Sequence, residues 1–371
     1  MDHHHAEAVE VDRDNTSSLL NFTSGPDANP AVADAEDRNE GAPEIPAAFV
    51  SQEGNVETGE NPQVQAAEDK AQAASELRAE TEGQLARPML LYGFNDLRQV
   101  AARRRQPPIW GNVRRGLVSL VVGQPGVGKS QYVAQAGIAM ATGRPFGGYM
   151  PSGEHRVVFL SPEDEADILV DRIEAVAGLL RADMDIVERN LKIVHHEDSC
   201  VLFEPGPKGT QLTDMGRAFF AEVDDFRADA VFMDPMAELH RLPEMDNGAM
   251  NGLLAALRTR ARLGNYAVVL THHSVKPDKG DAPPTIHTAR GAGATGASIR
   301  HADVLSELSK KERADFGITD EAAPDYVRLD VVKSSYRRRP GKPTYFRRVE
   351  VPVNGTTAPA MEMIELQPRG R

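Results

Sequence analysis

Short runs of consecutive apolar residues recur along this chain, separated by stretches whose apolar positions return every three or four residues. Residues 117–122 form the first such run, followed by 156–160 after its opening Arg156, 230–233 and 267–270, while 191–194, which carries Lys192, looks like a further short strand. A run this short with no polar alternation is the pattern of a strand buried on both faces, the usual state in a parallel sheet. Between the runs, residues 131–140, 165–180, 212–226 and 247–263 carry helical periodicity. Strands alternating with helices long enough to act as crossovers predict a mostly parallel, twisted sheet with helices on both faces. Beyond residue 300 the pattern changes. Segments 303–308, 326–333 and 344–351 read as strands without long helices between them and are expected to extend the sheet in antiparallel fashion. No internal repeat is visible.

The first 87 residues have no sustained periodicity and are rich in Ala, Glu, Asp, Asn, Gly and Pro, so they predict a disordered acidic tail. Residues 66–85 are an exception whose Ala, Glu and Gln content allows a short helix. The expected organisation is a tail (1–87), one α/β domain (88–351) and a C-terminal tail (352–371).

Charge changes this picture once it is divided. The whole chain carries −13, but residues 1–87 hold 19 acidic against 5 basic side chains, leaving 36 against 37 in the remainder. The predicted folded part is therefore nearly neutral, and the acidic total does not argue against a nucleic-acid partner. One cysteine, Cys200, excludes an internal disulfide and a cysteine metal cluster and fits a reducing cytoplasm. No apolar run reaches the length of a membrane span, and the polar start lacks the layout of a signal peptide.

Chemistry concentrates where the apolar runs end. Gly123, Gln124, Pro125, Gly126, Val127, Gly128, Lys129 and Ser130 follow the first run and precede a helix. Glycines at this spacing let backbone N–H groups turn inward around phosphate oxygens at the positive end of the helix. Lys129 would reach the β- and γ-phosphates of ATP, and the Ser130 hydroxyl would ligate Mg²⁺. Asp234 ends the run 230–233, where an acid can hold Mg²⁺ through water. Glu163 follows the run 156–160 and can orient or deprotonate the attacking water, while Asp164 and Glu165 compete as helix-capping acids. His272 and His273 follow the run 267–270 and point to opposite faces, so one of them is expected at the γ-phosphate.

A second group of residues concerns a partner. Lys276 and Lys279 lie in a Pro/Gly-rich stretch reaching to about residue 296, the kind of long loop that carries function. Lys333, Tyr336, Arg337, Arg338 and Arg339 make the densest basic segment, with Arg347 and Arg348 close behind. Cations with an aromatic among them suit single-stranded nucleic acid, and equally a solvated charged surface. Arg290, Arg300 and Arg337 are candidates for a cation supplied to a neighbouring subunit's γ-phosphate, or for surface pairing.

In order, the segments GQPGVGKS, FLSPEDE, VFMDP, VVLTHHSVK, ARGAGATGASIRHAD and RLDVVKSSYRRRP resemble the RepA-type branch of RecA-fold ATPases, relatives of DnaB-type hexameric replicative helicases, over roughly residues 90–350. The resemblance implies a RecA-like P-loop NTPase acting on DNA as a homo-oligomeric, hexameric ring. ATP would sit at subunit interfaces, completed by an arginine from the neighbour. It places Lys129 and Ser130 as nucleotide and Mg²⁺ ligands, Glu163 as catalytic acid, Asp234 as the Mg²⁺-associated acid and His272-His273 as the γ-phosphate sensor. Arg290 and Arg300 fall in its Arg-Gly…Arg segment. Lys333 to Arg337 fall in a Lys-Ser-Asn-Tyr-like segment from which Ser335 and Arg337 depart. A helicase or translocase in DNA replication is thus expected. A DNA-binding loader or scaffold without strand separation, and a nucleotide-binding switch, remain as alternatives.

Overall fold

In this computed structural model the described residues are 91–194, 200–207, 209–274 and 298–369, without the side chains of 103 and 104. The expected tail 1–87 lies outside them. One unit spans Tyr92–Arg371. Its centre is β1 (Val118–Gly123), buried at all six positions. Around it lie β2 (Val157–Leu160), β3 (Leu191–Val194), β6 (Ala230–Met233), β7 (Ala267–His273) and β8 (His301–Ser306). The sheet continues through β9 (Tyr326–Ser334), β10 (Thr344–Val353) and β11 (Thr356–Ile364), in the order β11-β10-β9-β8-β1-β7-β6-β2-β3. A separate hairpin pairs β4 (Phe203–Gly206) with β5 (Gly209–Leu212).

Strands β3 through β8 in that order are parallel, and β9, β10 and β11 are antiparallel to their neighbours. The antiparallel expectation for residues 303–308 is therefore corrected: β8 runs parallel to β1, with Ser119 opposite His301. The connection from β7 to β8 is long enough for a crossover although its sequence carries no long helical period. Residues 356–364, expected in a C-terminal tail, instead form the edge strand β11. Val353 pairs with Thr356, so Asn354-Gly355 alone makes the turn, with φ of 48° and 77°. Both central residues at positive φ is the type I′ arrangement that matches strand twist, and Asn-Gly is its strongest signal.

Helices cover both faces. On one side pack α2 (Lys129–Thr142), α3 (Ala166–Leu180) and α4 (Met184–Asn190), through Tyr132, Val133, Leu169, Val176 and Val187. On the other pack α5 (Asp214–Asp225) and α6 (Asn247–Leu263), through Phe219, Phe220, Leu253, Leu254 and Leu257. In β1, Val121 faces the first layer and Leu120 and Val122 the second, which is why an uninterrupted apolar run is required there. Helix α6 buries Met250, Leu253, Leu254, Leu257 and Ala261, the stripe of a one-sided helix. It starts where the Asp246 carboxylate accepts from the amides of Gly248 and Ala249. Two helices were not foreseen beside α4: the mostly exposed α1 (Phe94–Arg104) and the short α7 (Lys310–Phe316), which opens on a Ser309–Glu312 capping box. No helix among the described residues is long and apolar enough to cross a membrane.

Asp229 fastens the end of the sheet remote from the phosphate loop. Its carboxylate pairs with Arg115 at 2.5 Å, accepts from the Arg156 amide at 2.9 Å and lies 3.5 Å from His155 Nδ1. Burial opposes ionisation, but His155, Arg115 and the Arg156 amide outweigh it and hold the carboxyl far below the usual range. A depressed native pKa contributes stability that is present above the unfolded value and lost as pH falls through the native one. Asp229→Asn is thus expected to lower stability by about 1–3 kcal/mol at neutral pH. The deficit should shrink in acid, as read from melting temperature against pH; a deficit that does not change with pH would contradict the role of charge.

Candidate phosphate-binding site at the carboxyl ends of the strands

The carboxyl ends of β1, β2, β6 and β7 lie side by side, and each delivers one of the expected groups. Ligands of open parallel sheets bind at this edge. The loop 123–130 leaves β1 at Gly123, whose added Cβ would fall 2.6 Å from Val127 Cγ1 and 2.9 Å from the Leu305 carbonyl oxygen. No side chain fits there. Gly128, at φ 98°, begins α2, and a Cβ on it would run into Met361. Strands β8 and β11 therefore pack closely against the two ends of the loop, at Gly123 and Gly128.

Lys129 folds back over the loop. Its Nζ donates to the Gln124 carbonyl at 3.1 Å and lies 3.3 Å from His273 Nδ1. Burial lowers its pKa, and the nearby carboxylates Asp234 and Glu163 work against that shift. Asp234 sits one residue past β6, almost completely buried, and accepts a hydrogen bond from the Thr271 hydroxyl. The register explains this partnership: Met233 is opposite Leu270, so the next residues on each strand, Asp234 and Thr271, meet. Burial raises the Asp234 pKa; the hydroxyls of Thr271 and Ser130 pull it back. Asp234 Oδ2 has no hydrogen-bond partner among the described residues.

The two acids after β2 have separate fates. Asp164 accepts from Arg172 at 2.5 and 3.0 Å and from Ser161 Oγ at 2.9 Å. Burial opposes ionisation here too, but Arg172 and Ser161 prevail and the pKa falls. This carboxylate anchors the loop to α3. Glu163 stands at the open mouth of the site, with its pKa raised first by partial burial, then by Asp234, Glu238 and Asp164, against the effect of Lys129. Ordered this way, Asp164 is the tether and Glu163 the acid left facing the site.

The histidines also divide. His273 pairs in register with Gly123 and reaches Lys129. His272 pairs with Val122, is buried, and lies near His240.

The remaining expected residues are elsewhere. Arg290, Lys276 and Lys279 lie outside the described residues. Arg300 is exposed at the amino end of β8, where its carbonyl accepts from the Ser335 amide at 3.0 Å. Lys333 lies next to last in β9 beside it, and Tyr336, Arg337, Arg338 and Arg339 follow the strand. This end of β8 and β9 is the opposite edge of the sheet from the phosphate loop. Arg300 and Arg337 therefore do not reach this chain's own loop.

One residue at the loop was not singled out from sequence. Arg348, on β10, donates from Nη2 to the Gly126 carbonyl at 2.8 Å. Its Nε is buried without a partner among the described residues. Phe346, two positions earlier on the same strand, is fully buried with Tyr132 of α2, so strand alternation carries Arg348 to the same side. Next to it, Gln135 of α2 bonds both backbone groups of Met361, at 2.6 and 3.0 Å, and so locks β11 against the loop helix. The signal available in sequence was alternation in residues 344–351, which read as a strand, but Arg347 and Arg348 counted there only as part of the basic region and not as phosphate-loop residues.

A glycine loop with lysine and serine, a buried acid on a neighbouring strand and this strand order define a RecA-like P-loop ATPase, of the kind that uses ATP with Mg²⁺. The chain belongs to the AAA domain family, whose sequence model matches residues 87–279, just over half its length. Among curated proteins none matches the sequence. Among solved structures, the chain is similar to a KaiC-like protein from the hyperthermophilic archaeon Pyrococcus horikoshii OT3. The two share 16% identity with a TM-score of 0.40, over 66% of this chain and 89% of that one.

Proposed function

We propose that this ATPase is a DNA helicase or translocase of RepA type, acting in DNA replication as a ring-shaped, hexameric homo-oligomer. The observation that carries the reading is the basic segment Lys333, Tyr336, Arg337, Arg338 and Arg339, joined through β9 and β8 to the phosphate-loop strand β1. The order of motifs described above supports it. Cations around an aromatic suit single-stranded DNA. Lys276 and Lys279, from the Pro/Gly-rich stretch that follows β7 in sequence, would add contacts.

At the hydrolytic site, loop amides and Lys129 would hold the β- and γ-phosphates and neutralise charge that develops on them. The residues fit Mg²⁺, because Asp234 keeps a buried, unpartnered carboxylate oxygen near the Ser130 hydroxyl. When bound, the ion would neutralise phosphate charge. Glu163 would take a proton from the attacking water, and its raised pKa suits that task. His273, in contact with Lys129, would report the γ-phosphate to the loop after β7. Arg290 or Arg300 would act only across a subunit boundary, on a neighbour's site.

Arg348 would add a guanidinium to the nucleotide from the same chain, since it already touches the loop at Gly126. Arg348→Ala is expected to raise KM for ATP about tenfold with a smaller change in kcat, the pattern of a lost binding contact. Steady-state phosphate release checks this. An unchanged KM would remove Arg348 from the site.

Fork unwinding with ATP, beside a mass measurement of the assembly, tests the function. A ring that separates strands supports the proposal. Turnover and DNA binding without unwinding would favour a loader or scaffold, and turnover indifferent to DNA a nucleotide switch.

A further inference from the structure

At the amino ends of β1 and β7, the edge remote from the phosphate loop, an open pocket of about 280 Å³ lies between Gln106, Arg114, Arg115, Asn265 and Tyr336. Its two arginines differ in what they are free to do. Arg115 is held by Asp229 at 2.5 Å and has its charge neutralised there. Arg114 has no carboxylate partner among the described residues, and its Nε is buried without a hydrogen bond. Its guanidinium carbon lies 6.0 Å from the centroid of the Tyr336 ring. Tyr336 is 56% exposed, so an accessible aromatic side chain stands beside a cation. The amides of Gln106 and Asn265 supply both donors and acceptors in the same pocket.

The surroundings point the same way. Arg337, Arg338 and Arg339 follow Tyr336 directly and are exposed. Among the described residues none of them, nor Arg300, forms an ion pair. A pocket with an aromatic wall and amide edges, opening onto a row of unneutralised cations, has complementary chemistry for a flat heterocycle attached to a phosphate chain. A paired base inside a duplex keeps both faces stacked and could not enter.

We propose that this pocket receives one unstacked base of a single DNA strand, with Tyr336 stacking on the base and the strand's phosphates following Arg337, Arg338 and Arg339. The proposal rests on the DNA reading above and adds a site at the edge of the sheet opposite to ATP. Gln106 and Asn265 would meet the base edge, and Arg114 would hold the tyrosine ring and contribute charge. Because Tyr336 follows closely on β9, which pairs with β8 beside β1, base entry and nucleotide state would communicate through the sheet itself.

Titration of the full chain with a labelled oligothymidylate, and with an abasic strand of the same length, tests this, followed over a range of salt. The protein should prefer the base-bearing strand. Tyr336→Ala should weaken oligothymidylate binding about tenfold and remove that preference while keeping the salt slope. Arg338→Ala should weaken both strands and reduce the slope by about one. Melting temperatures show that each variant is folded, and Tyr336→Phe should restore base preference. If the native chain binds strands but Tyr336→Ala weakens both equally, or neither, the pocket is not a base site and the proposal fails while the DNA reading stands. If the native chain binds no strand at all, both fail. If Tyr336→Ala lowers ATP turnover in the assembly without touching DNA affinity, the segment contacts a neighbouring copy, and the proposal is overturned.

Discussion

Lys129→Ala is expected to abolish measurable ATP turnover, a loss of at least 10²–10³-fold in kcat, with the fold intact. The ammonium is buried and held between the Gln124 carbonyl and His273, with Asp234 and Glu163 as the nearby carboxylates. In an electrostatically preorganised loop, this charge strengthens its hold on the γ-phosphate as negative charge shifts in the transition state. Removing it also leaves the two carboxylates uncompensated toward an incoming polyphosphate. Lys129→Arg should not restore turnover, because a planar guanidinium cannot replace a compact ammonium within so closed a loop. Phosphate release with and without single-stranded DNA measures the effect, and the far-ultraviolet spectrum and melting temperature report the fold. Turnover retained at more than a tenth of the native rate would overturn the placement of the γ-phosphate.

How much of this was legible in the sequence depends on the range of the interaction. The strands 118–123, 157–160, 230–233 and 267–273 showed as apolar runs because burial on both faces leaves no polar alternation, whereas 191–194 is an edge strand with Lys192 and Ile193 exposed. The phosphate loop, Asp234 and Glu163 were visible because each sits directly beyond such a run. What failed was long-range. Whether β8 lies parallel or antiparallel to β1 depends on the path of the connection before it, on which local periodicity is silent. The strand β11 was missed although Asn354-Gly355 marked its turn, because its exposed edge carries a mixed pattern that reads as tail. Arg348 was invisible as a site residue because its partner, Gly126, is more than two hundred positions away in the chain. The division between Asp164 and Glu163 likewise needed Arg172, a helix residue that claims only one of the two acids.

Sheet order also separates two chemistries that sequence left mixed. The groups proposed for hydrolysis gather at the carboxyl ends of β1, β2, β6 and β7, whereas Arg300 and the basic segment after β9 gather at the amino end of β8. A cation from the second set can serve a phosphate loop only if another copy supplies it. Substitution of Arg300 should therefore act on turnover through assembly, with a dependence on protein concentration that Lys129→Ala would lack.

Glu163→Gln is the second large effect, and it differs from the first in what survives. Nucleotide affinity should be kept or strengthened, because one negative charge near the phosphates is removed, while kcat falls about 10²–10⁴-fold with the loss of the proton acceptor. Partial burial and the neighbouring acids Asp234, Glu238 and Asp164 hold the native pKa above the ordinary carboxylate range. The catalytically useful form is the ionised one. Native turnover should therefore rise with pH through that raised value, placing the acid limb above the usual glutamate pKa of about 4.3. Glu163→Gln should lose this limb along with the rate. The stability sign is opposite to that for Asp229: a raised native pKa favours the protonated fold, so the native chain loses stability as pH rises through it. Near neutrality the glutamine variant should melt no lower than the native chain. Asp164→Asn, which breaks the pair with Arg172, should melt lower and keep an acid limb. If instead Asp164→Asn removes the limb and Glu163→Gln does not, the two acids exchange roles, and the tether rather than the open acid receives the proton.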